Sequence, residues 1–203
     1  MFQPVCSVRF RPFQKYLVMK RNTLLLILIL SIFSTSHSNS QDIEWNRVSY
    51  GFSISYLQSE KNVDTFWNNT IEVGGELQYR LSDQLFIGSG IHLAYFKSET
   101  GMSVPNFYYL SIPIELKFLI PLETKIKLFT AGGIQSNTFA FRGKGAEVLG
   151  DNDIESEFGV FLVLGIRTTF WDLDGFEIYS KYQTIFTSPE STEFINIGTR
   201  FFF

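Results

Sequence analysis

The chain has 203 residues, of which 45% are hydrophobic, 18% charged and 17% aromatic. That is too apolar for disorder and long enough for one domain plus a targeting segment. A single Cys and two His exclude a disulfide scaffold and Cys-rich metal modules and leave little for zinc or His-based chemistry. The formal charge of -3 is the wrong sign for a nucleic-acid partner, which needs a basic face.

Charge is unevenly spread along the chain. Residues 1–40 carry Arg9, Arg11, Lys15, Lys20 and Arg21 and no acidic residue, whereas residues 41–203 have a net charge of -8 from twelve basic and twenty acidic groups. Met19-Lys20-Arg21-Asn22-Thr23 precedes the apolar run Leu24 to Leu30, extended by Ser31, Ile32 and Phe33, and a small polar tail runs from Ser34 to Ser40. This order of basic, apolar and small-residue regions predicts a secretory signal peptide over 19–40, cut near Ser40. It is too short to span a bilayer as a helix, which takes about 20 residues. The signal is complete when read from Met19, so residues 1–18 are expected to be a misplaced start or an extra leader, and the domain occupies 41–203. The only Cys, Cys6, is lost on processing.

Beyond the signal the chain repeats period-2 alternation, the mark of strands with two unlike faces. Val48, Tyr50, Phe52, Ile54 and Tyr56 alternate with Ser49, Gly51, Ser53 and Ser55. Ile71, Val73, Leu77, Tyr79 and Leu81 oppose Glu72, Gly74, Glu76, Gln78 and Arg80. Leu85, Ile87, Ile91, Leu93 and Tyr95 oppose Gly88, Gly90, His92 and Ala94. The fourth segment sets Tyr108, Leu110, Ile112, Ile114, Leu116 and Phe118 against Tyr109, Ser111, Pro113, Glu115 and Lys117. A weaker fifth sets Ile126, Leu128 and Ile134 against Lys125, Lys127, Gly133, Gln135 and Asn137. In the sixth, Phe158, Val160, Leu162, Leu164 and Ile166 oppose Glu157, Gly159, Gly165 and Arg167. In the seventh, Phe176, Ile178, Tyr182 and Phe186 oppose Glu177, Lys181 and Gln183. The last sets Ile195, Ile197, Phe201 and Phe203 against Asn196, Gly198 and Arg200.

Connections alternate as well. Ser82-Asp83, Pro121-Leu122-Glu123 and Trp171 to Gly175 are short and have turn chemistry, while Gln58–Asn69, Ser98–Asn106, Arg142–Glu155 and Ser188–Glu193 are longer and polar. Short turns on one side and long loops on the other predict an all-β, eight-stranded antiparallel up-and-down transmembrane β-barrel in the outer membrane, its turns periplasmic and its loops outside.

Alternation alone does not say which face meets solvent. A soluble lipocalin-like barrel binding a hydrophobic ligand would place the apolar set inside. Three features favour the inverted arrangement. The polar face is rich in Gly and Ser, which suit a narrow interior. Its charges nearly balance, Glu72, Glu76, Glu115, Glu157 and Glu177 against Arg80, Lys117, Lys127, Arg167, Lys181 and Arg200, so that a buried network can pair. Tyr56, Tyr79, Tyr95, Tyr108, Phe170 and Trp171 near segment ends suit interfacial girdles in contact with outer-membrane lipid. The terminal strand with Ile195, Ile197, Phe201 and Phe203 resembles the signal that hands outer-membrane barrels to the barrel-assembly machinery.

The segments Tyr109 to Phe118, Phe129-Thr130-Ala131-Gly132-Gly133 and Gly74-Gly75-Glu76-Leu77, with the aromatic last strand, resemble the PorT-like outer-membrane β-barrel family of Gram-negative envelopes. The likeness covers Val48 to Phe203. It implies a barrel without an assigned activity, or one assisting protein secretion or envelope assembly.

Chemistry is sparse. His92, the only His after the signal, lies mid-strand and is expected to hydrogen-bond a lumen carboxylate. No Ser stands in an elbow followed by a His, and Gly143-Lys144-Gly145 lacks a phosphate-loop context. Asp151-Asn152-Asp153-Ile154-Glu155 does not match a helical-hand calcium loop. Eight strands leave an interior filled by side chains. The expectation is a structural or interaction barrel with no catalysis, cofactor or metal, offering its extracellular loops to a protein partner.

Overall fold

The computed structural model describes residues 45–60, 66–99, 104–122, 125–142, 154–169, 175–187 and 191–203. The signal segment, the leader, Phe170, Trp171 and parts of the four long loops, residues 151–153 among them, lie outside the described residues.

A 3-10 turn at Trp45–Arg47 leads into eight strands: β1 Val48–Glu60, β2 Thr70–Arg80, β3 Leu85–Phe96, β4 Asn106–Pro121, β5 Ile126–Arg142, β6 Ile154–Thr168, β7 Gly175–Ile185 and β8 Thr192–Phe202. Each pairs antiparallel with the next, and β8 returns to β1, with Gly51 opposite Phe202 and Glu60 opposite Glu193, closing the barrel. Closure satisfies every strand edge within the chain, as a bilayer requires.

Strands are longer than alternation predicts. β5 runs on past Asn137, the last alternating residue read from the sequence, to Arg142, with Phe139 and Phe141 continuing the inward set; Thr138 and Ala140 face out, so the polarity pattern inverts without ending the pairing. β1 likewise continues through Gln58 and Ser59 to Glu60, and β6 begins at Ile154.

The faces are sorted as the inverted arrangement demands. Ile197 (60% exposed), Ile71 (59%) and Leu164 (58%) point outward, while Lys117, Lys181 and Glu177 are at most 1% exposed. A soluble barrel with an apolar cavity is the opposite object. On β4 the outward apolar set spans eleven residues from Tyr108 to Phe118, about 25 Å over the steps between them at roughly 3.3 Å per residue and about 40° of tilt. Tyr56, Tyr95 and Tyr108 mark its loop end, with Tyr95 and Tyr108 in contact at 4.9 Å between centroids. Tyr50, Phe52, Phe201 and Phe203 stack at the turn end.

One ladder is interrupted. Between β3 and β4 the register is constant, yet Gly90 opposite Pro113 and Ile91 opposite Ile112 do not pair. Proline has no N–H to give the Gly90 carbonyl. The Ser89 hydroxyl donates to the Pro113 carbonyl at 2.8 Å.

Candidate functional site

The barrel interior is a charged and amide-rich layer held between two apolar clusters. The sequence places one ionisable or amide side chain at alternate positions of seven strands, and closure turns them to a common axis. Among the described residues, Glu72, Glu115, Glu177, Lys117, Arg167, Lys181 and Arg200 are buried, and the Glu76 side chain is 7% exposed. Carboxylates and fixed cations therefore balance within the layer.

The groups meet across the lumen. The Lys117 ammonium donates to both Glu177 oxygens at 2.8 and 2.9 Å and lies 3.4 Å from Glu115. Arg167 donates to Glu177 at 3.1 Å and to the Gln78 amide oxygen at 3.3 Å. Arg200 donates to both Glu115 oxygens at 3.0 and 3.1 Å, with its Nε 3.2 Å from Glu76. Each carboxylate is thus shared, which offsets the heavy desolvation cost of burying it.

The cations also rest on aromatic rings. Lys117 lies over Phe129 and Phe202 at 5.1 and 4.9 Å, Arg167 over Phe86 and Phe202 at 5.3 Å each, and Arg200 over Tyr179 at 4.5 Å. Such contacts are strongest where water is excluded. Lys181 differs: its Nζ has no hydrogen-bond partner and lies 4.6 Å from the Phe161 centroid.

His92 occupies a fitted slot. Its Nε2 is 3.2 Å from Glu76 and its Nδ1 3.5 Å from Glu72, two carboxylates four residues apart on one face of β2. Gly74 makes room for the ring, since a Cβ there would sit 2.6 Å from His92 Cδ2 and 2.7 Å from Ser53 Oγ. Glu72 also accepts from Asn196 at 3.0 Å and Ser55 at 3.2 Å. Nearer the loops, the Tyr109 hydroxyl donates to Asn137 at 2.8 Å and accepts from Gln183 at 3.2 Å, while Gln135 donates to Asn137 at 2.9 Å.

Three of the expected lumen charges lie nearer the strand ends. Arg80 closes β2 and is exposed at the turn-end mouth. Lys127 is half-buried near the start of β5, opposite Arg167 in register, a like charge. Glu157 is half-buried near the loop end of β6, where its backbone carbonyl accepts from Asn137 at 3.5 Å. All three share the inward parity, but they lie where the strands leave the sealed region. Ile195, Ile197, Phe201 and Phe203 lie on the outer face of the closing strand, half-buried or exposed.

The sequence reading missed the two apolar clusters. Leu57, Ala94, Phe96, Phe107, Tyr109, Phe139, Ile185 and Phe194 close the loop end, and Phe86, Leu119, Phe129, Ala131, Phe161, Val163 and Tyr179 close the turn end. The signal was present in parity: Phe86, Phe96, Phe107 and Phe129 fall in step with the polar set. A crevice of about 10 Å³ bordered by Glu76, Gln78, Glu115, Lys117 and Phe202 has room for about one water molecule. No group of three or more metal-ligating side chains occurs among the described residues.

Known proteins place this geometry. The chain superposes on the crystal structure of Neisserial surface protein A with a TM-score of 0.61 at 10% identity, over 76% of this chain and 95% of that one. It is also similar to Ail of Yersinia pestis (TM-score 0.46, 13% identity, 77% and 96% covered) and to OprG of Pseudomonas aeruginosa (0.46, 13%, 77% and 94%). No curated protein matches by sequence. The profile of the outer membrane protein beta-barrel domain matches residues 25–198, and the chain therefore belongs to that family of outer-membrane β-barrels.

Proposed function

We propose that this protein is a sealed, non-catalytic scaffold that enters the envelope by a signal peptide cut near Ser40 and presents the loops Gln58–Asn69 and Arg142–Glu155 to a protein partner outside the cell. The observation that carries this is the lumen: shared ion pairs fill its middle and aromatic side chains close both ends. Such an interior gives rigidity and holds its charged groups away from solvent. In this role Glu72, Glu76, Glu115, Lys117, Glu177, Lys181, Arg167 and Arg200 are structural. Ile195, Ile197, Phe201 and Phe203 are the strand read by the assembly machinery.

The test is expression from Met19 in a Gram-negative host, envelope fractionation, and a detergent gel run with and without boiling. Outer-membrane recovery with a mobility shift is expected, because a closed barrel unfolds slowly. Crosslinking through the two loops should then capture a partner, and removal of both loops should abolish capture while the shift persists. Recovery in the soluble periplasm, or capture unaffected by loop removal, contradicts the proposal.

The resemblance of Tyr109 to Phe118 and Phe129 to Gly133 to PorT-like barrels supports a second reading, a component that assists protein secretion. Deletion would then deplete secreted proteins from the medium, and a chain lacking both loops would fail to restore them.

A further inference from the structure

We propose that the outer wall of the barrel at its loop end, from β3 to β5, binds a phosphate of an acylated, phosphorylated glycolipid in the outer leaflet. The proposal rests on the reading of the barrel as lipid-embedded with its loops outside. Arg142 closes β5 and pairs with Asn106 of β4. On the other side of Asn106 the chain leaves β3. Phe96 pairs with Phe107, Lys97 follows, and the Ser98 N–H donates to the Asn106 Oδ1 at 2.8 Å. Lys97 and Arg142 are both exposed, and each follows a lumen-facing aromatic, Phe96 or Phe141, so both side chains stand on the lipid side of the wall. Neither makes an ion pair among the described residues. Their backbones flank Asn106 about 10 Å apart, at roughly 4.8 Å between strands, a gap that two long side chains close over one phosphate.

The height of the pair selects a headgroup. Tyr95 and Tyr108, whose rings meet at 4.9 Å, are the outward residues just before Lys97 and just after Asn106. Such amphipathic rings mark the boundary between acyl chains and headgroups. The two cations lie one step beyond it, at the level of lipid phosphates, where basic side chains attract anionic lipid. Below the rings, exposed Leu93 and Ile112 continue the apolar wall on which the acyl chains of the same lipid would lie. The donors suit the anion. Guanidinium forks match phosphate oxygens bidentately, and an ammonium adds a point charge. The Asn106 Oδ1 is taken by Ser98, so its amide N–H groups remain for oxygens of the ligand. Glu99, two residues past Lys97, stands about 7 Å farther toward the loops. The opposite side of the rim carries the other sign, since Glu60 pairs with Glu193 across the β1–β8 seam. An anionic headgroup is therefore drawn to the β3–β5 wall and away from the seam.

The experiment is native mass spectrometry of the mature barrel released from detergent. It would be titrated with lipid A (an acylated glucosamine disaccharide with two phosphates), with the same lipid stripped of its phosphates, and with inorganic phosphate. Retention of lipid A, little retention of the stripped lipid, and a loss of about tenfold or more in the K97Q/R142Q variant are expected. Both side chains are exposed, so the variant should keep its boiling shift, and K97Q and R142Q singly must each lower retention. R80Q/K125Q removes the same charge at the exposed turn end and should leave retention unchanged. Equal retention of both lipids, unchanged retention in K97Q/R142Q, or an equal loss in R80Q/K125Q overturns the site. Displacement of lipid A by millimolar inorganic phosphate overturns the lipid assignment in favour of a soluble anion. A wild-type sample without the boiling shift counts against the barrel reading, whereas a shifting barrel with no preference for the phosphorylated lipid counts against the site alone.

Discussion

Lys117 and Glu177 are sixty residues apart in the chain and on strands that share no ladder, yet they meet through both carboxylate oxygens at 2.8 and 2.9 Å. The bond crosses the lumen from β4 to β7. It ties two opposite walls that backbone pairing links only around the circumference. Arg167 and Arg200 converge on the same carboxylate, at 3.1 and 3.7 Å. Replacing Glu177 by Leu should therefore leave buried cations short of a partner and cost about 3 kcal/mol or more. Urea unfolding in lipid vesicles checks this, and a midpoint unchanged from wild type would show that the network contributes nothing.

Lys181 offers the opposite case. Its ammonium is as buried as that of Lys117 but has no hydrogen-bond partner. Lys181→Met keeps the aliphatic stem against Phe161 and removes the desolvated charge, so the variant should match or exceed wild-type stability. Lys117→Met should fall at least about 2 kcal/mol below it. The same unfolding experiment ranks the two, and equal losses would refute the distinction.

Gly74 and His92 are coupled by shape. A methyl at position 74 collides with the imidazole and with Ser53, so Gly74→Ala should cost about 1–3 kcal/mol. In a His92→Ala background the collision with the ring is gone and much of that cost should disappear. A double-mutant cycle reads the coupling directly; additive losses would mean that the ring is not what the methyl meets.

Pro113 leaves the Gly90 carbonyl without a donor from β4 in the middle of the wall. Pro113→Val restores an N–H aimed at it. The new hydrogen bond outweighs the added freedom of the unfolded chain, with a net gain of about 1 kcal/mol. Hydrogen exchange on the variant in micelles should find the amide introduced by the substitution protected like its neighbours on β4. Fast exchange at that amide would show that the strands are splayed there.

The two aromatic clusters are in series. Wild type should give no conductance steps in planar bilayers, and neither should Phe202→Ala, because Phe86, Phe129 and Phe161 still close the turn end and Phe96, Phe107 and Phe194 the loop end. Steps should stay absent when Phe96 and Phe107 are also reduced to Ala, because the shared ion pairs still fill the middle. Conductance in the single Phe202 variant would mean that the loop-end cluster does not seal.

Most of the architecture was legible because a membrane barrel writes its two faces into alternate residues. Val48 to Tyr56 and Tyr108 to Phe118 read cleanly since one face is oily and the other polar over the whole span. The reading weakened where the pattern inverts, with Phe139 and Phe141 inward and Thr138 and Ala140 outward on β5. Within the lumen, parity correctly named the residues that point inward but not their height along the axis. Height depends on strand stagger, a property of the closed sheet and not of any segment. This is why Arg80, Lys127 and Glu157, which lie nearer the strand ends, were grouped with the middle layer, and why Phe202, in the shadow of Phe201 and Phe203, was overlooked as a lining residue.

Arg200 lies on β8, the last strand to be made, while Glu76 and Glu115 lie on β2 and β4. A sheet of the first seven strands would therefore carry two carboxylates short of one partner, as well as open edges on β1 and β7. Neither defect is tolerable in hydrocarbon, and one event repairs both. The last strand thus zips the seam and brings the Arg200 guanidinium to two buried carboxylates in the same step.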